Sequence, residues 1–165
     1  MSAIDQCLAN NEQYAAAFGS ADLPVPPSQA LAVVACMDAR IDVYRALGLG
    51  LGDAHVIRNA GGVITEDAIR SLTISQRLLG TREVLLVSHT DCGMLTFRDD
   101  DVKDAIADEV GFRPPFAFEA FDSPEENLRQ SIARIRASPF LPDTDRVRGT
   151  VYEVATGKLR EVTPS

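Results

Sequence analysis

The stretch Ala30-Leu31-Ala32-Val33-Val34-Ala35-Cys36 carries no polar side chain on either face of a strand. Such a strand needs apolar cover on both sides, the condition of a parallel sheet lying between helices. Glu83-Val84-Leu85-Leu86-Val87-Ser88 has the same character, and His55-Val56-Ile57 reads as a shorter strand between the two. Helical signals separate them. Asp42 to Leu47 predicts a short helix closed by the glycines of 48–52. Thr65 is placed to cap a helix whose first turn holds Glu66 and Asp67, where acids suit the helix dipole. Ala68, Ile69, Leu72, Ser75, Gln76 and Leu79 mark one face of it, and Gly80 ends it. Asp99 to Val110 predicts a further helix ending at Gly111. Residues 112–122 hold two prolines and several aromatics and read as a loop packed on the body. Ser123-Pro124-Glu125-Glu126 combines a cap, proline at the first helical position and glutamate at the third, opening a helix to about Ala137. Val147 to Val154 and Leu159 to Val162 flank Thr156-Gly157 as a hairpin. The alternation predicts an α/β fold: one domain with a mainly parallel central β-sheet flanked by helices, plus a C-terminal hairpin.

The N-terminal segment stands apart. Ile4, Cys7, Leu8, Asn11, Tyr14, Ala15 and Phe18 fall at steps of three and four, an amphipathic helix with one polar break. Leu23-Pro24-Val25-Pro26-Pro27 ends it and runs extended. We therefore expect a helical arm over 1–22 and an α/β core over 28–165, with Cys7 a small buried hydrophobe on the arm's apolar face. The 165 residues suit one domain better than two. Twenty-four acidic against sixteen basic residues give a net charge of −8, which argues against nucleic acid and anionic membranes as partners. No apolar run reaches the length of a membrane span. Met1 to Phe18 contains Asp5 and Glu12 and lacks the basic start and apolar core of a signal peptide, so a cytoplasmic location is expected. Three cysteines make a poor disulfide framework.

Two patches carry chemistry: Cys36-Met37-Asp38-Ala39-Arg40 after the first strand and His89-Thr90-Asp91-Cys92-Gly93 after the third. The C-terminal ends of parallel strands share one edge, where ligands bind, so the two patches should meet. Together they supply two thiols and one imidazole. That is the donor set of a catalytic zinc site, with three protein ligands and an open fourth position. Asp38 and Arg40 form a carboxylate–guanidinium pair that keeps the carboxylate ionised and oriented. By spacing alone an ordinary loop ion pair fits Asp38 and Arg40 equally well; for the thiols and the imidazole the chemistry favours a metal site over its alternative, two buried cysteines beside a capping histidine.

These motifs resemble those of the β-class carbonic anhydrases, in the compact bacterial branch. Cys36-Met37-Asp38-Ala39-Arg40 is similar to the family's Cys-x-Asp-x-Arg, His89 to Cys92 to its His-x-x-Cys, and Arg58-Asn59-Ala60-Gly61 to the stretch between them, all in family order. The resemblance implies reversible hydration of carbon dioxide to bicarbonate and a proton, by attack of a zinc-bound hydroxide. It implies Zn2+ on Cys36, His89 and Cys92, with Asp38 orienting the hydroxide and Arg40 holding Asp38. In some members the equivalent aspartate moves onto zinc at lower pH as a fourth ligand. The resemblance also implies a homodimer or tetramer, the N-terminal helix embracing a neighbour. Two features depart from the pattern. Ser88 stands where Gly or His is commoner, and the chain has no Trp, so the Trp-dependent bicarbonate side pocket of one subgroup, to which Arg58 would contribute, is not expected. Gly61 and Gly62 could let backbone approach a substrate or simply form a turn. His55 could be a proton shuttle or a polar strand residue, and Asp91 reads as a local backbone cap. The rival readings are a carbonyl sulfide or carbon disulfide hydrolase on the same scaffold, and a non-catalytic zinc or redox-sensing protein.

Overall fold

A computed structural model describes residues 1–163; Pro164 and Ser165, the last two positions of the expected core, lie outside the described residues. The order of elements is α1 (Ala3–Ala16), β1 (Leu31–Cys36), α2 (Val43–Leu47), β2 (Ala54–Asn59), α3 (Glu66–Arg77), β3 (Glu83–His89), α4 (Asp99–Val110), α5 (Pro124–Arg136), β4 (Val147–Tyr152) and β5 (Leu159–Val162). The strands form one sheet in the order β2-β1-β3-β4-β5. All neighbours run parallel except β4 and β5, the antiparallel hairpin. The expected α/β architecture is therefore the observed one.

The two most apolar strands occupy the interior of the sheet, as their lack of a polar face requires. Ala32, Val34 and Leu86 turn to one side, where α3 and α5 cover them with Ala68, Leu72, Leu128, Ile132 and Ile135. Val33, Ala35 and Val87 turn to the other, against Ile41, Val43 and Met94. That second side receives the five-residue α2 and loop residues such as Met94 and Phe121, and β2 is only partly covered along its length. The caps act as their residue types dictate. Thr65 accepts from the Ala68 amide and Ser123 from the Glu126 amide, satisfying donors that have no partner within the helix.

Several expectations need correction: β2 runs Ala54–Asn59, longer at both ends than His55–Ile57, and β4 stops at Tyr152, short of Val154. Cys7 is exposed, not buried, because no residue of α1 is buried in this chain. The stripe records a face that suits burial; it does not say which chain supplies the cover. The helix after Thr65 stops at Arg77, short of Leu79, and Gly80 turns the chain with φ +77. The third strand runs one residue further, so that His89 is its last residue.

Candidate metal centre

The register brings the chemistry together. Cys36 ends β1 beside Asn59, and His89 ends β3 beside Tyr152. A short turn over Ala60–Gly62 follows β2 and packs back on the sheet. Asn59 closes that turn, donating from Nδ2 to the Val63 carbonyl (2.8 Å) and accepting from the Val63 amide (2.9 Å). Gly62 explains why the turn needs glycine. Its φ is +63, and a Cβ there would sit 2.8 Å from the Cys36 amide nitrogen and 3.1 Å from the Val87 carbonyl oxygen.

Cys36, His89 and Cys92 are buried, and their ligand atoms all lie within 4.8 Å of one another. His89 Nδ1 lies 2.9 Å from the Thr90 carbonyl oxygen. A carbonyl only accepts, so Nδ1 carries the proton and the lone pair sits on Nε2. That Nε2 is buried and has no hydrogen-bond partner. An orphaned acceptor at full burial costs about 1–3 kcal/mol, and a metal ion would satisfy it. Two thiols and one such imidazole are a donor set suited to zinc. The thiols face each other and share a hydrogen bond, which lowers the pKa of Cys36 and raises that of Cys92. A metal bound here would take both as thiolates, releasing their protons.

Asp38 stands at the rim, its Oδ2 3.8 Å from His89 Nε2. Arg40 grips both oxygens, with Nε to Oδ1 at 3.0 Å and NH2 to Oδ2 at 2.7 Å, while the Arg40 amide adds a third bond at 2.9 Å. This fork holds the Asp38 carboxyl well below the usual carboxylate range. Arg40 also donates to Asp91, so Asp91 is an ion-pair partner and not the local backbone cap expected.

Further groups brace the site, and the motifs alone did not reveal them. Arg58 donates from Nε to the Cys36 carbonyl (2.9 Å) and from NH2 to the Asp38 carbonyl (2.7 Å), stiffening the first loop. Thr90 ties the second loop to the hairpin, its amide donating to Tyr152 and its hydroxyl accepting from Val154. Phe121 packs with Met94 beside the thiols and forms an apolar wall. His55 lies near the start of β2, with Nδ1 2.7 Å from Ser75 Oγ. It is four residues from Asn59, about 13 Å along the strand, which puts it at the wrong end for a proton shuttle.

The wall depends on Asp99. Its carboxylate accepts from the amides of Phe118 (2.8 Å), Glu119 (3.2 Å) and Ala120 (2.9 Å), holding the loop that carries Phe121. Partial burial works to raise the Asp99 pKa, but these amides outweigh it and leave it lowered from 3.8. A lowered folded-state pKa stabilises the fold above the unfolded value, and the contribution fades as pH falls below it. Asp99→Asn is expected to cost about 2 kcal/mol at pH 7, with a smaller difference from wild type near pH 4. Urea unfolding of both proteins at the two pH values measures this.

A family model for carbonic anhydrase matches residues 31–159. Beta-carbonic anhydrase 1 of Mycobacterium tuberculosis is 59% identical over 164 residues, covering 99% of this chain and 100% of that protein. A carbon disulfide hydrolase of Acidianus is 35% identical, covering 83% of this chain and 79% of that protein. Among solved structures, a carbonic anhydrase of Streptococcus mutans superposes with a TM-score of 0.92 at 41% identity, covering 99% of each chain. With its Cys-x-Asp-x-Arg and His-x-x-Cys loops joined at one sheet edge, and with this likeness over its whole length, the chain belongs to the β-carbonic anhydrase family.

Proposed function

We propose that the protein is an enzyme that reversibly hydrates carbon dioxide to bicarbonate and a proton, using zinc held by Cys36, His89 and Cys92. The observation that carries this reading is the convergence of those three donors, one of them an orphaned imidazole nitrogen, beside the Asp38–Arg40 pair. Zinc bound there would supply a Lewis acid that acidifies water to near neutral pH. The chain's own residues do the rest. Ionised Asp38 offers an acceptor at the rim that orients the attacking oxygen, and Arg40 keeps it ionised. Met94 and Phe121 give carbon dioxide an apolar surface. Gly61 keeps the space between Phe121 and Met94 free, because a side chain there would meet them at 3.0 Å and 3.1 Å, whereas Gly62 serves by letting the turn lie against the backbone of β1 and β3. With zinc bound, Asp38 would be the residue placed to serve as a fourth ligand at lower pH, and this is part of the proposal. Water on the metal at every pH in crystals of the zinc enzyme would rule it out.

Asp38→Ala is expected to retain zinc and lose about 10- to 100-fold in kcat, the usual range for a group that orients a metal site from outside its ligands. Metal analysis and stopped-flow hydration test both halves. Comparing carbon dioxide with carbonyl sulfide and carbon disulfide as substrates separates the anhydrase from the hydrolase reading. The 59% likeness to an anhydrase against 35% to a carbon disulfide hydrolase favours the former.

We further place the enzyme in the cytoplasm, where its paired thiols stay reduced, and infer a homodimer or larger assembly. Support comes from α1, an arm whose Ile4 and Leu8 are 72% and 65% exposed, and from the thinly covered sheet face beside β2. Ile4→Glu with Leu8→Glu is expected to shift the protein to a smaller species in analytical ultracentrifugation. An unchanged sedimentation coefficient would remove the arm from the interface.

A further inference from the structure

Cys36 and His89 end the paired strands β1 and β3, Cys92 lies in the loop after β3, and one side chain links that loop to the loop after β1. Arg40, in the loop after β1, donates from NH1 to Asp91 Oδ2 at 2.6 Å and from NH2 to the Asp91 carbonyl at 2.9 Å. Asp91 lies between His89 and Cys92, in the loop after β3. It holds φ +55, a left-handed conformation uncommon outside glycine, asparagine and aspartate. That conformation turns both its carbonyl and its carboxylate toward the one guanidinium that also holds Asp38. Asp91 is exposed and Arg40 half-exposed, so the pair adds little to global stability. Its consequence is positional: a planar fork that makes four hydrogen bonds to two aspartates fixes the distance between the loops.

From this geometry we infer that Asp91 is a positioning residue: acting through Arg40, it locks the loop that carries Cys92 to the loop that carries Asp38 and so sets the place of Cys92 relative to Cys36 and His89, whose own spacing the pairing of β1 with β3 fixes. The inference rests on the metal site proposed above but not on the reaction, because its readout is metal release. Asp91→Gly removes the side chain without straining a positive φ. Asp91→Asn keeps that backbone and one neutral acceptor. Each variant is loaded with one equivalent of zinc and mixed with excess chromophoric chelator. Asp91→Gly is expected to release zinc about 10-fold faster than wild type, within the range seen when a partner outside the ligand set is lost, and Asp91→Asn to fall between them. Cobalt-loaded Asp91→Gly is expected to show a shifted visible absorption band with a thermal midpoint close to wild type, a combination that general destabilisation would not give. In an Arg40→Gln background, Asp91→Gly should add nothing further. Release from Asp91→Gly at the wild-type rate would overturn the inference, as would a full additional acceleration in the Arg40→Gln background. If wild type binds no zinc, the metal site itself fails; if it binds zinc but leaves carbon dioxide unhydrated, only the reaction fails.

Discussion

In His89→Ala, zinc content is expected to fall well below one per chain and carbon dioxide hydration by more than about 100-fold, beyond the loss that follows removal of an outer partner alone. The reason lies in the donor count. Three protein ligands are the minimum that holds a catalytic zinc while leaving a position open. Two thiols without the imidazole would bind the ion weakly and with an undefined geometry. His89 is fully buried, its Nδ1 is engaged by Thr90, and its Nε2 has no other partner. Nothing else among the described residues offers a nitrogen to the cluster. Metal analysis with stopped-flow hydration measures the effect, and circular dichroism confirms that the variant folds. A folded His89→Ala that keeps zinc and activity would remove His89 from the site.

Gly62→Ala is expected to destabilise the protein by about 3 kcal/mol or more, through two mechanisms that act together. The left-handed conformation at φ +63 penalises any Cβ by about 1–2 kcal/mol. The new carbon would then lie 2.8 Å from the Cys36 nitrogen, 3.0 Å from the Ala35 carbonyl carbon and 3.1 Å from the Val87 carbonyl oxygen. All three are backbone atoms of central strands and have little freedom to retreat. Gly80→Ala is the control, since its φ of +77 carries the conformational penalty while no atom lies within 4 Å of the new carbon. Urea unfolding of the two variants should therefore separate them by about 2 kcal/mol. Equal losses would mean that the turn yields and the contact with β1 is unimportant.

How far the sequence disclosed this arrangement depended on the physics of each signal. The two strands apolar on both faces were legible because only a covered parallel sheet accommodates them, and β1 and β3 stand at its centre. The ligand motifs were legible because strand ends in such a sheet share an edge. Residues whose partners are distant in sequence were harder to read. Asp91 reads as a local cap until Arg40 is seen to reach it across 51 positions. Arg58 bonds to backbone carbonyls, which leave no trace in the partner's side chain. Asp99 reads only as an acid in the first turn of a helix, although its partners are amides some twenty residues further on. Cys7 reads as buried from its place on the arm's apolar stripe, yet that stripe finds no cover in its own chain.

The measurement that bears most directly on the central claim is carbon dioxide hydration by the wild-type protein with one zinc bound, after removal of the metal, and after its return. The expected result is catalysis that disappears with the metal and comes back with it, stronger at mildly alkaline than at near-neutral pH. Hydration at the uncatalysed rate at both pH values, with zinc bound throughout, would contradict the account.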